Sequence, residues 1–157
     1  MRWENLTAIV KSVAETTNPK GTYFMGRKTE ANFEYDKPFP QIHMLPPVLN
    51  EPGGGSDVAS WNCTFIFYFE DVMADKAPER NLLINEAFKL RSMFKNNLAL
   101  KPDYIAMSNI TTSPTMLQLM AKASGVIMTA TVAAKDSYGP NCGFIGAYEL
   151  PADLKKC

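Results

Sequence analysis

The hydrophobic pattern of the chain is clearest in residues 60–71, which read SWNCTFIFYFED. In a β-strand, alternate residues point to opposite faces of the sheet. One face of this segment would carry only apolar residues: Trp61, Cys63, Phe65, Phe67 and Phe69. The other face is polar at its ends but has Ile66 and Tyr68 in its middle. We therefore expect a strand with one buried face, whose second face is covered in the middle by the same chain or by a neighbouring subunit.

Two segments have the spacing of amphipathic helices. In residues 3–16, apolar side chains recur every three or four positions, at Leu6, Ile9, Val10 and Val13. A second helix is predicted to begin near Pro78, where the missing N–H costs little in a first turn, and to end at NNLALKPD. Its apolar stripe is formed by Leu83, Ala87, Leu90, Phe94 and Leu98.

The remaining patterned segments predict strands. Residues 22–35 suit one long strand or a bent hairpin arm, and QIHML suits a short strand closed by Pro46 and Pro47. Residues 48–59, with three consecutive glycines, are expected to form a mobile surface loop. After the second helix we predict three strands, YIAMSNIT, TMLQLMA and GVIMTATVAA, the last two joined in a hairpin through KASG, although PTMLQLMAKA alone also suits a short helix.

The order of these elements predicts an α+β fold, with two main helices packed on one mixed or antiparallel sheet. We expect a single domain over residues 1–134. Residues 135–157, rich in Gly and Pro but still carrying apolar residues, are expected to form an extended C-terminal arm.

The charge balance argues against a general attraction to nucleic acid or to anionic lipid. Lys plus Arg and Asp plus Glu number 16 each, so the formal net charge is zero. No apolar run reaches the roughly 18 residues that a membrane span needs, and the first 15 residues are unlike a signal peptide. The three cysteines form no C-x-x-C pair. We expect a cytoplasmic chain without a structural disulfide.

Candidate chemistry is sparse. His43 is the only histidine, and a strand histidine with satisfied hydrogen bonds is the favoured interpretation. Cys63 lies on the apolar face of the aromatic strand, where a thiol is usually inert. Glu70 and Asp71 lie near a strand-to-helix junction, where acid–base pairs occur, but contacts with the helix dipole explain them better. No spacing typical of metal ligands or of a phosphate-binding loop is present. We therefore predict no catalytic, cofactor or metal site.

The chain has more apolar surface than a small monomer needs, since it holds nine phenylalanines and nine methionines. Self-association would use this surface, although the C-terminal segment also suits folding back on its own sheet. The candidate residues for contacts between subunits or rings are Tyr68, Tyr138, Phe144, Ile145, Tyr148 and Leu150.

The order of elements in residues 1–134 resembles tail-terminator and neck-ring proteins of tailed bacteriophages. The segments that carry this resemblance are the first helix, the strands around GRKTEANFEYDKPFPQI, the WNCTFIFYF strand, the ERNLLINEAFKLRSMF helix and the closing SGVIMTATVAA strand. The segments FPQIHMLPP and ASGVIMTATVAA are also similar to such proteins from phages of gut Bacteroidales, including crAss-like phages.

The resemblance implies a structural virion protein and no enzymatic activity. Such a protein is assembled in the host cytoplasm as a hexameric or dodecameric ring in the phage neck or tail. It would contact other neck or tail proteins and surround the channel through which genomic DNA passes without sequence-specific binding. Neither a cofactor nor a membrane is implied. The alternatives are a small intracellular enzyme using His43 or the Glu70 and Asp71 pair, and a monomeric binding module that recognises its partner through the glycine-rich loop.

Overall fold

The computed structural model describes residues 3–27, 37–50, 58–71, 77–101, 106–117 and 123–135, together with residues 147, 148 and 151. The elements in chain order are α1 (Trp3–Thr17), β1 (Thr22–Met25), β2 (Gln41–Met44), β3 (Val48–Asn50), β4 (Val58–Glu70), α2 (Ala77–Ala99), β5 (Ala106–Leu117) and β6 (Ala123–Lys135). The predicted α+β fold is confirmed, as are both helices. No described helix combines the length and hydrophobicity needed to cross a membrane.

The six described strands form one mixed sheet in the order β1-β2-β4-β6-β5, and β3 also pairs with β4. β1 and β2 are parallel, and all other pairs are antiparallel. The aromatic strand β4 lies in the centre of the sheet. It pairs with β6 along its whole length, from Val58 opposite Lys135 to Glu70 opposite Ala123.

Both helices pack on one face of the sheet. α1 contributes Leu6, Val10 and Val13 to the core, and α2 contributes Phe94, whose ring centroid lies 5.0 Å from that of Phe65. The expected buried face of β4 is confirmed by the exposed fractions of its side chains, which are 4% or less from Trp61 to Phe67 on this face. Burial of each such large side chain stabilises the fold by about 1.5–3 kcal/mol.

The opposite face of β4 is covered in its middle by the same chain. Ile66 and Tyr68 are 0% and 1% exposed. The apolar residues packed around them come from β1, from the segments just before and just after β2, and from β6: Phe24, Phe39, Leu45 and Ile127. The middle of this face is therefore covered within a single chain, and no neighbouring subunit is needed to bury it.

The expected loop over residues 48–59 is wrong at both ends. Val48–Asn50 forms β3, which pairs with Asn62–Ser60, and β4 already begins at Val58. Within β4, only Phe65–Tyr68 pair with β2. Without β3, the other half of β4 would lack hydrogen-bond partners on that side. The chain turns at Pro46 and Pro47 and pairs again with the same strand. Residues 28–36, part of the strand or hairpin arm predicted over 22–35, lie outside the described residues.

Residues 106–111 of the predicted strand YIAMSNIT and residues 115–117 of the predicted strand TMLQLMA belong to one strand, β5, that runs through Pro114. Residues 104–105 and 118–121 of these two predictions lie outside the described residues. β5 pairs only with β6 among the described strands, and proline is tolerated on an edge strand because its missing N–H removes no ladder bond there. The predicted antiparallel hairpin is correct, but Ala123 and Gly125 of the KASG segment already belong to β6. The register shifts between Ser108 and Thr111, where Asn109 has a φ of 51°.

Gly125 lies where β6 approaches β4 too closely for a side chain. It lies opposite Tyr68, and a Cβ atom at position 125 would overlap the backbone carbonyl of Phe67. A side chain here could be accommodated only by separating β4 from β6, which are the two central strands.

We expect Gly125→Ala to lower the free energy of unfolding by about 2–4 kcal/mol, because the added methyl forces a backbone shift. Urea unfolding followed by circular dichroism measures this loss. The matched control is Ser113→Ala on the exposed part of β5, with an expected change within about 0.5 kcal/mol. Equal stability of the Gly125→Ala variant and the parent chain would contradict the close approach of the two strands.

Candidate functional site

The two edges of the sheet differ in length and in chemistry. At one edge lies β5, a strand of 12 residues without a charged side chain. At the other edge lies β1, a strand of four residues in parallel pairing with β2. Each edge presents backbone N–H and C=O groups that no described strand pairs, and such groups can accept a strand from another chain.

Exposed apolar side chains lie on β5 and on α2. On β5, Ile110 is 36% exposed and Met116 is 47% exposed. On α2, Leu82 and Met93 are 65% and 48% exposed. The β5 residues lie on an edge that no described strand pairs, so there an incoming strand would gain both backbone hydrogen bonds and apolar contact.

On the sheet face opposite the helices, the described side chains around Asn62 and Thr131 are polar and uncharged. The side chains of Thr131 and Thr129 bond across the strands to those of Asn62 and Thr111. This face contains an open pocket of about 280 Å³. The residues that line it include Asn62, Thr64, Asn109, Thr129 and Thr131. The hydroxyl and amide groups of this face can donate or accept hydrogen bonds but carry no charge.

The structure separates the predicted contact residues into different environments. Tyr68 is 1% exposed in the single chain, so its burial requires no second subunit. Tyr148 is 81% exposed and is available for contact. The other four predicted contact residues, Tyr138, Phe144, Ile145 and Leu150, lie outside the described residues. A role of this set in contacts between subunits stays a prediction.

His43 has the environment of a structural strand residue. It is 2% exposed, its Nε2 lies 2.8 Å from the carbonyl oxygen of Gly26, and its ring packs on Phe24 with centroids 5.0 Å apart. The Gly26 carbonyl can only accept a hydrogen bond, so this contact assigns the proton to Nε2. A substrate has no direct access to a ring buried in this way.

Cys63 is equally enclosed. Its side chain is 1% exposed and donates a weak hydrogen bond to the carbonyl oxygen of Trp61, at 3.7 Å. Burial raises the pKa of the thiol to about 12, so almost none of the nucleophilic thiolate exists near neutral pH. The expected inertness of this thiol follows from the same burial.

Glu70 and Asp71, although adjacent, do not share an environment. Glu70 is exposed at the end of β4, whereas Asp71 is 2% exposed. The Oδ2 atom of Asp71 accepts hydrogen bonds from Arg80 Nε at 2.8 Å and from Ser124 Oγ at 2.7 Å. The pair is therefore split between solvent and a buried polar cluster.

The buried cluster of Asp71, Arg80 and Ser124 joins three elements at one end of the sheet. Asp71 follows β4, Arg80 lies in the first turns of α2, and Ser124 lies near the start of β6. The bond from Arg80 is charge-assisted and the side chain of Asp71 is 0% exposed, so the cluster fixes where α2 begins. The nine-residue separation of Asp71 and Arg80 has no sequence signature, which is why sequence reasoning missed this pair.

Within the described parts of the chain, no group of three or more His, Cys, Asp or Glu side chains could hold a metal ion. The groups with chemical interest are thus a buried ion pair, two enclosed side chains and several surfaces. In comparisons with known proteins, no family model matches this chain, and no curated protein matches it.

We expect Asp71→Ala to lower the free energy of unfolding by about 3 kcal/mol, because it leaves the largely buried Arg80 without its carboxylate. Urea unfolding measures the change. The matched control is Glu86→Ala, which removes the carboxylate of an exposed pair with Lys89 and should cost about 0.5 kcal/mol or less. Similar losses in the two variants would contradict a special role for the buried pair.

We also expect stability to fall in alkaline solution. Burial raises the pKa of Tyr68 from 10.0, and that of Cys63 from 9.0, to about 12 in each case. Burial, followed by the charge of Glu15, raises the pKa of Tyr23 to about 12. Because the unfolded chain releases these protons at lower pH, the stabilisation is complete below about pH 9 and is lost progressively towards pH 12.

The measurement is the free energy of unfolding at a series of pH values. The Tyr68→Phe variant, which removes one of the three groups, should show a shallower decline than the parent chain. A decline of the same slope in both proteins would show that Tyr68 does not contribute.

Proposed function

We propose that this protein is a structural component of a phage neck or tail, in which copies of the chain assemble into a ring around the DNA channel. The observation that carries the proposal is the presence of two unlike edges on one sheet, a long uncharged β5 and a short β1. The resemblance in the order of elements to tail-terminator and neck-ring proteins supports the same conclusion.

Unlike edges favour a ring over a two-fold dimer. If β5 of one copy meets β5 of another, the contact is isologous and assembly stops at two chains. If β5 meets the opposite edge of the next copy, each subunit keeps one edge open until the circle closes. A hexamer or a dodecamer satisfies this closure.

The uncharged polar residues on this face of the sheet suit the wall of a DNA channel. Asn62, Thr64, Thr129 and Thr131 offer hydrogen-bonding groups without positive charge. A cationic wall would hold the phosphates through release of counterions, whereas a neutral polar wall lets DNA pass. In the proposed ring this face lines the channel, and other neck or tail proteins bind the flat sides of the ring.

The apolar residues of β5 provide a test of the proposed edge contact. We expect the wild-type chain to form a discrete hexamer or dodecamer, and the double variant Ile110→Lys, Met116→Lys to shift it towards monomer by tenfold or more in concentration, because charges on an edge strand oppose strand addition. Native mass spectrometry across a range of concentrations measures both.

The matched control is Leu82→Lys, which adds a charge at an exposed apolar position of α2 and leaves β5 unchanged. It should leave the oligomer unchanged, and circular dichroism should show the same fold in all three proteins. A wild-type chain that remains monomeric at every concentration would contradict the ring. An oligomer unaffected by the two β5 substitutions would contradict the edge contact.

A further inference from the structure

Arg91 is a cation held in place by neutral groups. It lies on the flank of α2 that faces β5, where Nε and Nη2 donate hydrogen bonds to Thr112 Oγ1 at 3.0 and 2.7 Å. Nη1 lies 3.5 Å from the hydroxyl oxygen of Ser92, a weaker contact. Both acceptors are hydroxyls, so the guanidinium is oriented but its charge is not neutralised.

The described residues around Arg91 add positive charge and supply no negative charge. Across the described part of the chain, the ion pairs are Lys11 with Glu15, Arg80 with Asp71, and Lys89 with Glu86, and none includes Arg91. Lys95 lies one turn further along α2, and β5 has no charged residue. We call the surface formed by Arg91, Lys95 and Thr112 the α2–β5 flank.

The α2–β5 flank has the chemistry of a carboxylate-binding site. A guanidinium has five N–H donors in a planar fork, and the three bonds described above leave two of them for an oxyanion. Ile110 and Met116, exposed on the adjacent strand, add an apolar border. A border of this kind suits a peptide in which an acidic residue stands beside aromatic or aliphatic ones, better than it suits the phosphates of a nucleic acid.

The C-terminal segment of this same chain has that composition. Its sequence around residue 149 is AYELPAD, and from Asp136 to Leu154 it has three acidic residues and no Lys or Arg. Tyr148, which immediately precedes Glu149, is 81% exposed in the single chain. The 14 residues that follow Lys135, up to Glu149, can span up to roughly 45 Å when extended, which is enough to reach a neighbouring subunit.

We propose that the α2–β5 flank binds the C-terminal segment of a second copy of this chain, with the Glu149 carboxylate on the Arg91 guanidinium. The inference rests on the self-association in the proposed function and adds the segment and the charge pair that join neighbouring subunits. Thr112 acts as a positioning residue, because its hydroxyl orients the fork of Arg91.

Charge reversal in separate chains tests the proposal. We expect Arg91→Glu and Glu149→Lys each to raise the dissociation constant of the assembly about tenfold or more, because each brings like charges together. Mixing the two variant chains should restore assembly. The altered groups of the two variants have opposite charges and can pair with each other, while the unaltered Arg91 of one variant meets the unaltered Glu149 of the other. Sedimentation velocity at matched concentrations measures the three samples.

Two further variants control for the fold and for the specificity of the site. Lys89→Glu changes charge by the same amount on α2 but replaces a lysine that is paired with Glu86, and it should leave assembly unchanged. Thr112→Val, which removes the acceptor that orients Arg91, should weaken assembly less than Arg91→Glu does. Circular dichroism should give the same helix content for all variants.

Three results would overturn the inference. In the first, assembly is restored when Arg91→Glu and Glu149→Lys are combined in one chain but not when the two variants are mixed. This result would show that the segment binds its own subunit. In the second, the Arg91→Glu variant assembles normally but no longer binds DNA at low salt. This result would show that the α2–β5 flank binds phosphate. A normal ring in both single variants would refute the charge pair and leave the ring proposal standing, whereas a monomeric wild-type chain would refute the ring itself.

Discussion

Burial of the long aromatic strand β4 on both faces is the constraint on which the other described elements depend. One face needs a cover along most of its length, and α1 and α2 supply it, with Phe94 packed between Phe65 and Phe67. The other face needs a cover only over Ile66 and Tyr68, which Phe24, Phe39 and Leu45 supply. Beyond Ile66 and Tyr68 the same face carries polar residues such as Asn62 and Thr129, which are exposed to solvent.

The backbone of β4 imposes a second requirement. A strand of 13 residues in the middle of a sheet needs hydrogen-bond partners on both sides. β6 satisfies one side completely, while β2 and β3 share the other side. β5 then extends the sheet beyond β6, which places a long strand at the edge. The central position of β4 thus leads directly to the open edge on which the proposed assembly depends.

Two arginines of α2 show how context determines the role of one residue type. Arg80 meets a buried carboxylate, and its charge is used within the fold to hold the start of the helix. Among the described residues, Arg91 meets only hydroxyls, so its guanidinium is oriented but no described carboxylate neutralises its charge. Because the desolvation cost of a charge is repaid only by a well-placed partner, the first arrangement is structural and the second is suited to recognition of another chain.

The sequence by itself determined the elements with strong periodicity. The α+β class, both helices and the apolar face of β4 follow from spacing alone, because each apolar stripe must be buried whatever its partner is. The enclosed environment of Cys63 followed for the same reason, because Cys63 belongs to that apolar face. Local patterns could not show that Val48–Asn50 forms a strand, since three residues after two prolines carry no periodicity and pair only because β4 has vacant backbone groups there.

Only the tertiary structure decided which surfaces remain open. The cover of Tyr68 comes from residues up to 44 positions earlier in the chain, and the partner of Asp71 comes from another element. The continuity of β5 through Pro114 depends on its place at the edge of the sheet, which no local pattern encodes. These features arise from contacts between distant segments, and the physical reason is that burial, strand pairing and charge compensation are satisfied over the whole fold and not within one element.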